Sequence, residues 1–333
     1  MSPYRVKYTH RADRDLEKLP PEISRKVVSA IHTIKEDPYQ FIKKMKAASQ
    51  NRVGPGLVQV YSDLLKLFRK NMVISETASW IFHAMPFVLF MSTFVAASML
   101  PILGIRSLFG FTGDVILFVY LLALGRFFLT LAALDTGTTF GGMGSSREMT
   151  LSSLAEPALL LAFFSLGFRA HTLSLEGIVS YFASGSPTQM LFFTSLTFGA
   201  LLIVTIAESG RIPVDNPATH LELTMVHEAM ILEYSGQYLA LIEWSHQIKQ
   251  LVFLTLLSDL FFPWGISSSW GFLAFGLSLV LYLAKVFFLA FVIGWIEIHS
   301  AKLRLFRVPD LLAVAFVLAI LSLLGQLIIG RGA

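Results

Sequence analysis

Residues 190–207 read MLFFTSLTFGALLIVTIA, residues 208–247 read ESGRIPVDNPATHLELTMVHEAMILEYSGQYLALIEWSHQ, and residues 248–266 read IKQLVFLTLLSDLFFPWGI. Two apolar runs, each long enough to cross a hydrocarbon core, bracket a stretch that carries Glu208, Asp215, Glu222, Glu228, Glu233 and Glu243. Charge is costly inside a bilayer, so acids gathered between two spans mark a working surface at the membrane boundary.

The rest of the chain repeats this pattern. Of 333 residues, 55% are hydrophobic and 14% charged, against roughly 25% charged in an ordinary soluble domain. The mean hydropathy is +0.67. Seven candidate spans, at 80–103, 113–135, 150–168, 188–207, 248–266, 271–298 and 310–329, predict an all-α polytopic membrane protein. With no cysteine, the chain offers neither a disulfide nor a thiolate-held iron–sulfur cluster.

The net charge of +4 is unevenly spread. Residues 1–48 hold 11 of the 26 Lys and Arg and 6 of the 22 Asp and Glu. The remaining residues carry 15 basic and 16 acidic side chains, so the basic excess is local and implies no nucleic-acid partner. Residues 1–48 are expected to form a short soluble segment of α+β character, with a strand at Tyr4–Tyr8 and an amphipathic helix opened by Pro21. YRVKYTHRADRDLEKLPPEISRKVVSAIHTIKEDP resembles the start of a RelE/ParE-type toxin without the later strands, so no toxin activity is expected. The domain boundary is placed at residues 48 and 49.

Nine basic residues fall in segments 51–79, 136–149, 208–247 and 299–309, against Arg106, Arg169 and Arg331 on the other side. The positive-inside rule therefore predicts that the N-terminus and the acidic loop are cytoplasmic and the C-terminus outside.

Several residues suggest chemistry. Leu57–Lys70 is amphipathic and suited to the interface, with Asp63 and Lys66 on its polar side. Glu148 and Glu156 lie eight residues apart, close to two helical turns, and can share a face. Asp135, Lys285, Glu297, Asp259 and Arg126 also stand in or at the ends of apolar runs, together outlining a chain of ionisable groups of the kind that ion movement through a low-dielectric slab requires. Asn216-Pro217 predicts a helix start, the helix carrying His220, Glu222, His227, Glu228 and Glu233 with Glu222 and Glu233 on one face. His227-Glu228 lacks the second His of a zincin, because Ile231 occupies that position. No metal site, nucleophile triad or phosphate loop is expected, and this stretch reads as a docking surface or proton entry.

Four motifs in one order identify a family resemblance over residues 51 to 330. Arg52-Val53-Gly54-Pro55 with Asp63-Leu64-Leu65-Lys66-Leu67, Ser145-Ser146-Arg147-Glu148-Met149 with Glu156-Pro157, RIPVDNPATHLELTMVHEAMILEYSG at 211–236 and AKLRLFRVPDLL at 301–312 resemble the membrane-anchor subunit of energy-converting nickel–iron hydrogenases. That group includes the formate hydrogenlyase and Ech types and is homologous to the H component of respiratory complex I. The resemblance implies a non-catalytic subunit of an ion-translocating oxidoreductase of the cytoplasmic membrane. Its implied partners are the hydrogenase large and small subunits, an iron–sulfur subunit and an antiporter-like membrane subunit. The nickel–iron centre and iron–sulfur clusters belong to those partners, and this chain holds no cofactor. Carried onto this chain, Glu148, Glu156, Glu208, Asp215, Glu222, Glu228 and Glu233 form the proton path, joined by Asp135, Lys285 and Glu297. Arg52, Asp63, Arg147, Arg211 and His220 line the cavity or docking face. The family usually has one further helix before Arg52, a place taken here by the toxin-like segment. A second reading is the quinone-site subunit of a complex I-like NADH dehydrogenase, and a third is a stand-alone transporter.

Overall fold

The computed structural model describes residues 59–72, 74, 78–102, 107, 114–184, 191–215, 226–265, 272–303 and 305–330. Among them are ten α-helices and one 3-10 turn, and no strand. The strand expected at Tyr4–Tyr8, Arg52, His220 and Glu222 lie outside the described residues. Two compact units, Met1–Asp63 and Leu64–Ala333, divide the chain.

Helix α1 spans Gln59–Arg69, within the expected amphipathic segment. The longer helices then follow as α2 (Trp80–Ser98), α3 (Asp114–Asp135), α4 (Thr139–Ala170), α6 (Leu191–Glu208), α8 (Gly236–Phe261), α9 (Phe272–His299) and α10 (Val308–Gly330). Short helices α5 (Leu175–Ala183) and α7 (His227–Ile231) lie between them. Each expected span corresponds to a helix. By length and composition α2, α3, α4, α9 and α10 suffice to cross a membrane, while α6 is a shorter apolar helix. α8 carries Glu243 and His246 in its first half and Lys249 at its middle, which makes its N-terminal part polar.

Local chemistry sets several helix ends. Ser79 Oγ accepts from Ile81 N at 3.2 Å, capping α2, and the Ser79 N–H donates to Asp135 Oδ2 at 2.8 Å. The end of α3 thus holds the start of α2. Thr138 caps α4 by accepting from Gly141 N at 3.2 Å. The segment 136–149, read from sequence as a loop, is mostly the first three turns of α4. Helix α8 likewise begins twelve residues before the expected span, at Gly236.

The largest core joins α3, α4, α6, α8 and α10 through Phe118, Phe163, Leu201, Phe253 and Leu257, all buried. Small residues bring α4 and α10 together: Ala158, Ala162, Ala315 and Ala319 are each fully buried, which permits the close backbone approach that membrane bundles use. A second core sets α2 and α3 against α7 and α8, with Tyr234 stacked on Phe82 at 4.0 Å. A third, from Leu151, Ala155, Ile206, Val214, Val308 and Leu312, lies among α4, α6 and α10.

Candidate functional site

Arg126 stands in the middle of α3, flanked by apolar residues, with a side chain only 6% exposed. A guanidinium has five donors and stays protonated in proteins, so it needs anionic partners when buried. Two helices, α4 and α6, supply them. Nη2 donates to both oxygens of Glu208 at 2.6 and 2.7 Å, where α6 ends. Nη1 donates to Glu156 Oε1 at 2.9 Å on α4. Nε lies 3.5 Å from Glu148 Oε1, two turns earlier on α4. From α8, Lys249 Nζ reaches Glu208 Oε2 at 2.7 Å. One further bond fixes the α3–α4 register: Ser145 Oγ donates to Thr130 O at 3.1 Å, about one turn from both Arg126 and Glu148.

The cluster thus holds three carboxylates against two cations. With all five ionised it carries one excess negative charge, so it has capacity for one proton without losing its internal pairing. Access is graded, since the Glu156 side chain is 33% exposed and that of Glu208 5%.

A second polar group adjoins it. The turn after α6 carries Arg211, a cis Ile212–Pro213 bond and Asp215. Asp215 Oδ1 accepts from Lys302 Nζ at 2.9 Å and Oδ2 from the His227 N–H at 3.3 Å. His227 Nε2 and His246 Nδ1 are 2.9 Å apart, joining α7 to α8. Burial, and after it the Lys249 charge, lower the His227 imidazole to a pKa of about 4, with Asp215 opposing both. Arg211 donates to Gln250 Oε1 at 3.1 Å and lies 3.8 Å from Glu297. No group of three metal-ligating side chains occurs among the described residues.

Glu148, Glu156 and Glu208 are therefore brought together, with Asp215, Arg211 and Glu297 in the adjoining group. The others are placed elsewhere. Asp135 sits nine residues beyond Arg126 on α3, about 13 Å along the axis, against Ser79 N. Lys285 Nζ donates to Phe262 O at 2.9 Å. Arg147 points at the Met143 sulfur at 3.0 Å, and Asp63 accepts from Gln59 at 3.5 Å. Glu228 lies on α7, half-buried, and Glu233 is exposed. The shared helical face expected for Glu222 and Glu233 does not extend to Glu233. α7 ends at Ile231, Tyr234 turns inward to donate from its hydroxyl to Phe82 O, and a new helix starts at Gly236. Gly236 has φ +57° and a Cβ there would meet Lys70 O at 2.9 Å, so the chain must reverse on a glycine.

Sequence reasoning named Arg126 only as one ionisable group among several and did not single out Lys249, His246 or Lys302. The available signal was position: Lys249 is the second residue of an apolar run, and Arg126 is deep inside one.

Residues 39–329 match the family model for NADH dehydrogenase. Hydrogenase-4 component C of Escherichia coli (strain K12) is 35% identical over 280 residues, covering 84% of this chain and 87% of that protein. Formate hydrogenlyase subunit 4 of the same organism is 31% identical over 282 residues, covering 85% and 91%. The H component of NADH-quinone oxidoreductase from Paraburkholderia xenovorans (strain LB400) is 30% identical over 268 residues, covering 76% and 73%. A chain of the membrane-bound sulfane sulfur reductase, an archaeal respiratory membrane complex, has the same fold, with a TM-score of 0.68 over 85% of this chain and 92% of that one at 21% identity. The chain belongs to the NADH dehydrogenase subunit 1 family, homologous to hydrogenase-4 component C, formate hydrogenlyase subunit 4 and the H component of complex I.

Proposed function

We propose that this chain is the integral membrane subunit of a multisubunit energy-converting hydrogenase, anchoring the hydrogenase module and coupling its electron transfer to proton or sodium movement. The observation that carries the reading is the Arg126 cluster, three carboxylates and two cations drawn from α3, α4, α6 and α8 into an apolar bundle. Such a group is expensive to bury and has no structural need of its third acid. The similarity to hydrogenase-4 component C and formate hydrogenlyase subunit 4 supports the hydrogenase branch.

In this reading the partners are the hydrogenase large and small subunits, an iron–sulfur subunit and an antiporter-like subunit. They carry the nickel–iron centre and clusters, and this chain performs no redox chemistry itself. Glu148, Glu156 and Glu208 hold and pass the proton. Asp215, Glu222, Glu228 and Glu233 form its cytoplasmic approach, and Asp135, Lys285 and Glu297 extend the path. Arg52, Asp63, Arg147, Arg211 and His220 face the docked module. The acidic loop and N-terminus lie on the cytoplasmic side of the cell membrane and the C-terminus outside.

The test is purification of the complex from native membranes in mild detergent, with the Glu156→Gln variant alongside. Nickel, iron and hydrogenase subunits are expected with both. Hydrogen turnover with a soluble dye should persist in the variant while ion movement in vesicles falls at least tenfold. Recovery of the chain alone and metal-free overturns the proposal. Quinone-dependent, inhibitor-sensitive turnover assigns it instead to the NADH–quinone branch, whose H component is also similar.

A further inference from the structure

Ten residues after Lys249 on α8, about 15 Å along the helix axis, Asp259 lies in surroundings unlike those of the Arg126 cluster. It is 1% exposed, and neither carboxylate oxygen has a hydrogen-bond partner. The neighbouring Ser258 Oγ, also buried, makes no well-formed hydrogen bond but lies close enough to act on the Asp259 carboxylate. Leu256, Leu257 and Leu260, each at most 2% exposed, surround the position along the helix.

The other nearby polar groups, on α8 and α9, are already engaged. Lys285 on α9 donates to Phe262 O at 2.9 Å, capping the C-terminal end of α8, where a cation is favoured by the exposed carbonyls. It acts on Asp259 through its charge, from beyond ion-pair distance. Tyr282 Oη and Thr255 Oγ1 hydrogen-bond each other at 2.7 Å. Among the described residues, the titratable groups in the field of Asp259 are Lys285 and Tyr282, both on α9.

An ionised carboxylate without a donor is not tolerated in apolar surroundings, and a bound proton removes the charge at once. A sodium ion is disfavoured by the positive charge of Lys285, which already acts on the site. We infer that Asp259 is a second proton-binding site, separate from the Arg126 cluster, which holds one exchangeable proton and uses Lys285 as its charge partner. When the proton leaves to water, the O–H bond electrons stay on the carboxylate, and Lys285 balances the new charge by turning from Phe262 O toward it. The purpose of this proton rests on the coupling reading above, but its presence does not.

Carbodiimide labelling tests the site, because dicyclohexylcarbodiimide modifies protonated carboxyl groups in apolar surroundings. The whole complex is treated in its native membrane across a pH series, and adducts are located by peptide mass mapping. An adduct on Asp259 at neutral pH is expected, absent in Asp259→Asn. In Lys285→Gln, which removes the stabilising charge, half-labelling should move up by at least one pH unit, a tenfold change in proton affinity. Infrared spectra should show a protonated-carboxyl band that disappears in Asp259→Asn. Asp259 unlabelled at every pH together with no band, or a labelling profile identical in Lys285→Gln, overturns the inference. None of these readings uses hydrogen turnover, so a failure of the hydrogenase assignment is seen separately, in the purification.

Discussion

Arg126 hydrogen-bonds two acids and faces a third across 3.5 Å, and its replacements separate charge from geometry. Arg126→Leu leaves Glu148, Glu156 and Glu208 sharing only Lys249. Breaking a buried ion pair from one side typically costs about 3–5 kcal/mol, so thermal unfolding of the solubilised protein should show a loss of that order. Arg126→Lys keeps the charge but not the fork that reaches three carboxylates. It should recover part of the stability and little of the coupled activity. His227 gives a pH prediction of defined sign. Its pKa is about 4 in the fold, against about 6.5 unfolded. Between those values the unfolded chain binds more protons, so stability is full above pH 6.5 and declines as pH falls toward 4, by at most about 1.4 kcal/mol per pH unit. His227→Gln should flatten that slope in melts recorded from pH 7 to 4. At this scale the sequence was readable where spacing along one helix decides, as for Glu148 and Glu156. It was silent on Lys249 and Lys302, because which cation meets which acid is set by helices far apart in the chain.

Helix α4 shows why an element can be longer than its apolar stretch. Phe140-Gly141-Gly142-Met143-Gly144-Ser145-Ser146 has the composition of a loop, and glycine lowers helix propensity by up to about 1 kcal/mol per residue. The helix nonetheless runs through it, because Thr138 caps it and the small side chains let α7 lie against α4. A methyl group at Gly144 would meet Val226 O at 2.9 Å and Ala229 Cβ at 3.0 Å. Gly144→Ala should therefore displace α7 and its His227, at a cost of about 1–3 kcal/mol, read as a lower melting temperature and reduced coupled activity. The apolar cores of α2, α3, α9 and α10 were legible as continuous runs. The end of α7 was not, since its stop depends on Tyr234 meeting Phe82 of a distant helix.

Across the whole molecule, α9 is the least enclosed of the long helices, with Phe287, Phe291 and Trp295 each more than half exposed. This suits a lipid or subunit-facing surface. Because the chain has no cysteine, single introduced thiols report sidedness directly. Leu232→Cys, beyond α7, should react with an impermeant maleimide only from the cytoplasmic side. Trp264→Cys, between α8 and α9, should react only from the outside, and the reverse pattern would invert the orientation. On the proposed coupling role, the arrangement around Arg126 would also set how a proton is handed on. A guanidinium keeps its own protons, so nothing passes through it; a proton can only change which of three acids it occupies while the fork re-forms its bonds. Each such exchange would be a discrete reshuffling of one tethered group, so on the proposed proton path the cluster would act as a single-occupancy turnstile, admitting the next proton only after the last had been handed on.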